Sequence, residues 1–129
     1  MKRHLSIMVI DDENIVGKRL KPALEKNGDV VEAFTDARQA LERFSEQPFD
    51  IVVSDIRMDD IDGLEVLEKV LTRSDRTKVI IITGYATVEV AQEALVKGAF
   101  DFIAKPFKPN DLRAIINRAA KALGHPGLE

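Results

Sequence analysis

Apolar residues in this chain fall into short blocks that alternate with stretches of helical spacing, and the alternation repeats five times. Blocks rich in Val, Ile and Phe at 5–10, 30–33, 50–54, 79–82 and 101–104 predict strands. The first, third and fourth are almost wholly apolar, as expected of parallel strands covered on both faces. Glu32 and Asp101 interrupt the second and fifth, which predicts places nearer the sheet edges.

The intervening stretches read as amphipathic helices. The clearest is the last, where Leu112, Ile115, Ile116, Ala119 and Leu123 recur on one face. Pro109 fits its first turn, Asp111 suits its positive N-terminal end, and Gly124 fits its stop. Val16, Leu20, Ala23 and Leu24 form the stripe of the first helix, ended by Asn27-Gly28. Pro22 lies within that stripe and predicts a kink or break, since it lacks a donor and clashes with the preceding turn. Further stripes run through Ala37–Phe44, Leu64–Leu71 and Val88–Leu95. Five βα units with short connections predict a doubly wound α/β sheet with helices on both faces. Residues 1–124 form one domain in this reading, and 125–129 read as the start of a linker or a cloning tail.

Composition narrows the function classes. At 129 residues the chain is long enough to bury a real core. The formal net charge is −3 and basic residues are scattered; only Lys2, Arg3 and His4 cluster, at a terminus. That predicts no nucleic-acid groove in this segment. Without cysteine there is neither a disulfide framework nor a thiolate metal site. No apolar run is long enough to span a bilayer or to serve as a signal sequence. These features predict a soluble cytoplasmic domain with no membrane partner.

The candidate chemistry stands at the ends of the apolar blocks. Asp11 and Asp12 follow the first, Asp55 the third, Thr83 the fourth and Lys105 the fifth. If these blocks are parallel strands, all five residues emerge at one edge, where open α/β sheets bind ligands. Three carboxylates in one place repel each other unless a cation sits among them, so a bound metal is implied. Asp11-Asp12 alone also fits an ordinary helix cap. Asp55 does not, because the next helix starts several residues later, and a buried unpaired carboxylate is costly. Lys105 is its natural partner; that pair alone is compatible with a structural ion pair. The additional acids and Thr83 favour a phosphate-plus-metal site. An Asp carboxylate can act as the nucleophile that forms an aspartyl phosphate. Mg²⁺ suits carboxylate and phosphoryl oxygens, Lys supplies a point charge, and Thr supplies a hydrogen bond.

The segments VIDDE at 9–13, SDIRM at 54–58, DG at 62–63, ITGYA at 82–86 and GAFDFIAKPF at 98–107 resemble the receiver domain of two-component response regulators. The resemblance covers residues 5–123. It implies a flavodoxin-like sheet of strand order 2-1-3-4-5 with five helices. It implies that Asp55 accepts a phosphoryl group from a histidine kinase or phosphotransfer protein. Asp12, Asp55 and the backbone carbonyl of Arg57 would bind Mg²⁺ directly, with Asp11 acting mainly through water. Thr83 and Lys105 would contact the phosphoryl oxygens, and the Lys105–Pro106 bond would be cis. Thr83 and Phe102 would then act as a switch, reshaping the face made by the fourth helix, fifth strand and fifth helix. That face would serve partners, a second copy of the chain included. The segments around Thr83 and Phe102 look most like receivers attached to DNA-binding regulators, among them sigma-54-dependent activators. An output domain C-terminal to this segment, such as one controlling transcription, is the corresponding expectation.

Three positions depart from the family pattern: Asp59 where Pro is common, Phe102 where Tyr is frequent, and Pro22. The rival readings are a stand-alone receiver and a phosphatase with an aspartyl nucleophile. Such phosphatases pair two acids around one residue, and Asp55-Ile56-Arg57 lacks the second. The expectation is a phosphoacceptor switch rather than an enzyme acting on external phosphate esters. Its own chemistry would extend only to self-phosphorylation from small donors and autodephosphorylation. A calcium loop around Gly63 fails on spacing, because Met58 and Lys69 fall where ligands belong. A flavin phosphate would be repelled by Asp11, Asp12 and Glu13.

Overall fold

A computed structural model describes residues 4–26, 28–57, 61–84 and 88–124, the side chain of Val88 excepted. The elements alternate as β1 (Ser6–Ile10), α1 (Asn14–Glu25), β2 (Val30–Phe34), α2 (Ala37–Glu46) and β3 (Ile51–Asp55). They continue as α3 (Gly63–Arg73), β4 (Lys78–Thr83), α4 (Val88–Val96), β5 (Asp101–Ala104) and α5 (Pro109–Ala122). All strand pairs are parallel, in the order β2-β1-β3-β4-β5. The expected order therefore holds, and the strands that carry Glu32 and Asp101 are the two edges.

Side-chain alternation along the strands divides the core in two. Met8, Ile10, Val52, Val79 and Ile81 pack against Ala40, Phe44, Leu67, Val70 and Ala94 of α2, α3 and α4. Ile7, Val9, Val53, Ile80 and Ile82 pack on the other face against Leu20 and Leu24 of α1 and Leu112, Ile116 and Ala119 of α5. The central strands are thus buried on both sides, which explains their unbroken apolar character. At the edges, Glu32 pairs bidentately with Arg43 at 2.9 Å for each bond, and Asp101 pairs with Arg118 at 2.6 Å. These pairs satisfy the charges that mark the edge strands.

Pro22 does not break α1, which runs on to Glu25. The residue lies in the last turn between Leu20 and Leu24, both buried in the core, and their packing holds the turn that Pro22 would open. The Arg113 side chain of α5 also donates to the Ala23 carbonyl at this helix end. Gly28, at φ 86°, makes the turn that follows. Pro109 begins α5 as expected, with the Lys108 N–H donating to Asp111 at 3.1 Å, and Gly124 follows it at φ 80°. Among the described residues no helix is long and apolar enough to cross a membrane. The readings placed on Lys2, Arg3, Asn27, Met58, Asp59, Tyr85, Ala86 and the 125–129 tail lie outside the described residues.

Gly63, the first residue of α3, is pressed against the end of β3. Its N–H donates to the Ile56 carbonyl at 2.7 Å. A Cβ there would lie 2.4 Å from the Asp55 carbonyl oxygen and 2.6 Å from the Ile56 Cα, both rigid backbone atoms. Gly63→Ala is therefore expected to cost about 1–3 kcal/mol in urea unfolding, as overpacking does. Gly84→Ala, whose added Cβ meets no atom within 4 Å among the described residues, should stay within about 0.5 kcal/mol of the parent. Equal stabilities for the two variants would refute the close-approach account of Gly63.

Candidate functional site

The chain reverses its direction of growth between β1 and β3, so the crevice of the sheet opens beyond Ile10 and Asp55. Asp11 sits at the end of β1, its N–H bonded to the Phe34 carbonyl of β2 at 3.0 Å. Its Oδ1 accepts the Glu13 N–H at 2.8 Å, which shapes the turn into α1. Asp11 thus does serve the helix start, but only with one of its two oxygens. Asp12 beside it faces solvent. Asp55 is the last residue of β3 and is buried. Bonds from Ile56 N–H to the Ile82 carbonyl at 3.0 Å, and from Gly63 N–H to the Ile56 carbonyl, pin the backbone that carries it.

Thr83 closes β4, buried and in register with Ala104 of β5. Its carbonyl accepts the Lys105 N–H at 2.8 Å, so the threonine and the lysine are tied through their backbones. The Lys105–Pro106 peptide is cis. The lysine side chain reaches back over the strand ends, and Nζ lies 3.1 Å from Asp55 Oδ2, 3.0 Å from Glu13 Oε1 and 2.9 Å from Asp11 Oδ2. The first two contacts are aligned hydrogen bonds. The Asp11 contact is not, which leaves Asp11 Oδ2 buried without a hydrogen bond.

Asp11, Asp12, Asp55 and Lys105 therefore lie together at the strand ends, and Thr83 adjoins them through its carbonyl bond to the Lys105 N–H. Phe102 is half-buried and packs on the α2–α3–α4 side of the sheet. It is the register partner of Ile81, as Ala104 is of Thr83. Thr83 and Phe102 consequently share a face. The Arg57 N–H points to Asp55 Oδ1 at 3.4 Å. Two residues escaped the reading of the strand ends. Glu13 brings a further carboxylate onto Lys105, and Gly63 gives α3 its close approach to Asp55. An acid directly after the acidic pair, at the start of a helix, was the available signal for Glu13.

The electrostatics leave a deficit of positive charge. One carboxylate oxygen from each of Asp11, Asp12 and Asp55 lies within 4.8 Å of the others. Burial raises the Asp11 pKa above its ordinary value, and the Asp55 charge raises it further; the Glu13 N–H and Lys105 only partly offset this. For Lys105, burial works to lower the pKa, but its carboxylate partners outweigh burial and hold the ammonium firmly protonated. Among the described residues, the Lys105 ammonium meets the carboxylates of Asp11, Glu13 and Asp55 and does not neutralise all three. The buried Asp11 Oδ2, ion-paired with Lys105 but without a hydrogen bond, and the hard oxygen donors both fit a divalent cation.

Comparison with known proteins agrees with this arrangement. The chain is 40% identical over 113 residues to regulatory protein AtoC of Escherichia coli strain K12, an alignment covering 88% of this chain and 24% of that protein. It is 38% identical over 114 residues to the C4-dicarboxylate transport transcriptional regulatory protein DctD of Rhizobium meliloti strain 1021, covering 88% of this chain and 25% of that one. The chain thus spans about a quarter of the length of these curated relatives. Among solved structures, the beryllofluoride-activated NtrC4 receiver domain dimer superposes with a TM-score of 0.87 at 30% identity, over 92% of this chain and 98% of that one. The profile of the response regulator receiver domain matches residues 7–117, and the chain belongs to that family.

Proposed function

We propose that this domain is a phosphorylation-controlled switch with Asp55 as phosphoacceptor. The observation that carries the reading is the Lys105 ammonium drawn onto Asp55 among further carboxylates at the crevice of the sheet. An Asp55 Oδ forms a bond to phosphorus while the bond from phosphorus to the donor breaks, and that electron pair leaves with the donor. With a kinase phosphohistidine the pair returns to the imidazole nitrogen; with an acyl phosphate it leaves as a carboxylate. Lys105 and the Thr83 hydroxyl bind the phosphoryl oxygens. Asp12, Asp55 and the Arg57 carbonyl would hold Mg²⁺ directly and Asp11 mainly through water, and the ion would supply the missing positive charge. Arg57 stands where phosphatases with an aspartyl nucleophile carry the acid that protonates the leaving group of an external ester. The domain therefore acts as a switch and not as a turnover enzyme.

A groove of about 400 Å³ between the start of α1 and the β5–α5 connection includes Ile15, Val16, Pro106 and Phe107, with Glu13 and Lys105 at its rim. It shares those two residues with the site, and this supports an approach by a histidine kinase from that side. Phosphorylation adds about two negative charges beside Thr83. Drawn toward them, Thr83 leaves room on its own face into which Phe102 swings, changing the α4–β5–α5 surface. On α4, Leu95 and Val96 are already exposed, at 43% and 86%. That supports a role for this surface in contacts, including a homodimer. The similarity to longer transcriptional regulators supports a cytoplasmic regulator with a C-terminal output domain of the sigma-54-dependent type. A stand-alone receiver is the alternative.

Asp55→Asn should abolish phosphate incorporation from a small acyl phosphate, while Lys105→Ala keeps some, as read by intact mass. A stably mono-phosphorylated Asp55→Asn protein would place the acceptor elsewhere.

Thr83→Ala should still take phosphate on Asp55 but show reduced amide shifts across residues 88–104. Undiminished distal shifts at equal phosphorylation would disprove the coupling of Thr83 to Phe102.

Because the folded-state pKa of Asp11 is raised, its contribution to stability is fully present below the ordinary value of 3.8 and is lost as pH rises through the folded value. In metal-free protein at neutral pH, Asp11→Asn is thus expected to raise the melting temperature by about 2–5 °C, with a smaller gain in acid. Millimolar Mg²⁺ should stabilise the parent more than this variant. A variant that melts below the parent without metal would contradict the charge account.

A further inference from the structure

Glu13 has a role that the phosphoacceptor reading does not assign. Its N–H is held by Asp11 Oδ1 at 2.8 Å, which fixes the backbone, and its side chain makes no cap bond to α1. That side chain instead reaches across 92 positions in the sequence to the Lys105 ammonium at 3.0 Å. Of the two aligned bonds on Nζ, one therefore goes to Asp55 and the other to Glu13.

The three carboxylates on Nζ differ in how readily they can let go. The side chains of Asp11 and Asp55 are 1% and 7% exposed, whereas that of Glu13 is 62% exposed. Releasing either buried carboxylate strands a charge away from water, at high cost. A released Glu13 simply rehydrates. When a phosphoryl group arrives and needs a proton of the ammonium, Glu13 is the partner that gives one up.

We infer that Glu13 is a positioning residue that holds the Lys105 ammonium at the mouth of the site and competes with the incoming phosphoryl oxygens for it. The inference rests on Asp55 being the phosphoacceptor. Removing the contact then speeds phosphoryl entry, because Lys105 no longer has to be released. A partly exposed ion pair sets the size of the effect at about two- to five-fold.

The test follows intact mass over time with acetyl phosphate and Mg²⁺. The proteins are the parent, Glu13→Gln and Glu13→Asp, and the two Glu13 variants again in a Lys105→Ala background. In the donor reaction, the Asp55 oxygen bonds to phosphorus and acetate leaves with the electron pair, so no proton is needed. Glu13→Asp keeps the charge but is one methylene short of Nζ. Both variants are expected to gain about two- to five-fold in rate, and neither should gain when Lys105 is absent. If Glu13→Asp follows the parent while only Glu13→Gln is faster, charge and not contact is responsible and the inference fails. It fails equally if neither variant is faster, or if the gain survives in Lys105→Ala. A parent that takes no phosphate on Asp55 overturns the phosphoacceptor reading itself, and the inference with it.

Discussion

One ammonium among carboxylates organises this molecule's chemistry. Lys105 comes from the end of β5 and Asp55 from the end of β3, with β4 between them, and Asp11 comes from β1 on the far side. Bringing them together needs the side chain to cross the strand ends, and a buried carboxylate left without it would be costly. The lysine therefore ties three strand ends of the sheet into one electrostatic unit. It does not balance that unit. The remaining negative charge, with a buried oxygen of Asp11 left without a hydrogen bond, makes the crevice a natural place for a cation and a phosphoryl oxygen.

The scaffold behind this unit leaves little freedom. β1, β3 and β4 are packed on both faces, and the backbone after Asp55 is pinned both by β4 and by Gly63 at the start of α3. Rigid strands with polar residues at their ends place reacting groups more precisely than loops can. The cost falls on Gly63, where any side chain would collide with the backbone that carries the acceptor.

A switch also needs parts that can take two arrangements. Thr83 and Phe102 lie on one face, on neighbouring strands, under a helix that leaves Leu95 and Val96 in solvent. Phe102 is only half-buried, so a change in its position costs less than moving a central core residue would. On the opposite side of the crevice, Glu13 is the acid on Lys105 with ready access to water. Of the parts proposed to move, Phe102 and Glu13 reach solvent, whereas Thr83 is buried like the strands that hold the acceptor.

The strands, their parallel direction and the carboxylates at their ends were legible in the sequence, because apolar blocks buried on both faces leave a pattern that few other structures share. The edge positions of β2 and β5 were legible for the same reason, through Glu32 and Asp101. Pro22 shows where local reasoning stops. Its intrinsic preference opposes the helix, yet burial of Leu20 and Leu24 on either side outweighs it, and burial depends on partners far along the chain. The share of the site taken by Glu13 and the constraint on Gly63 were decided only by the tertiary structure. Both depend on atoms that are distant in sequence meeting within a few ångströms, and residue spacing does not encode such distances.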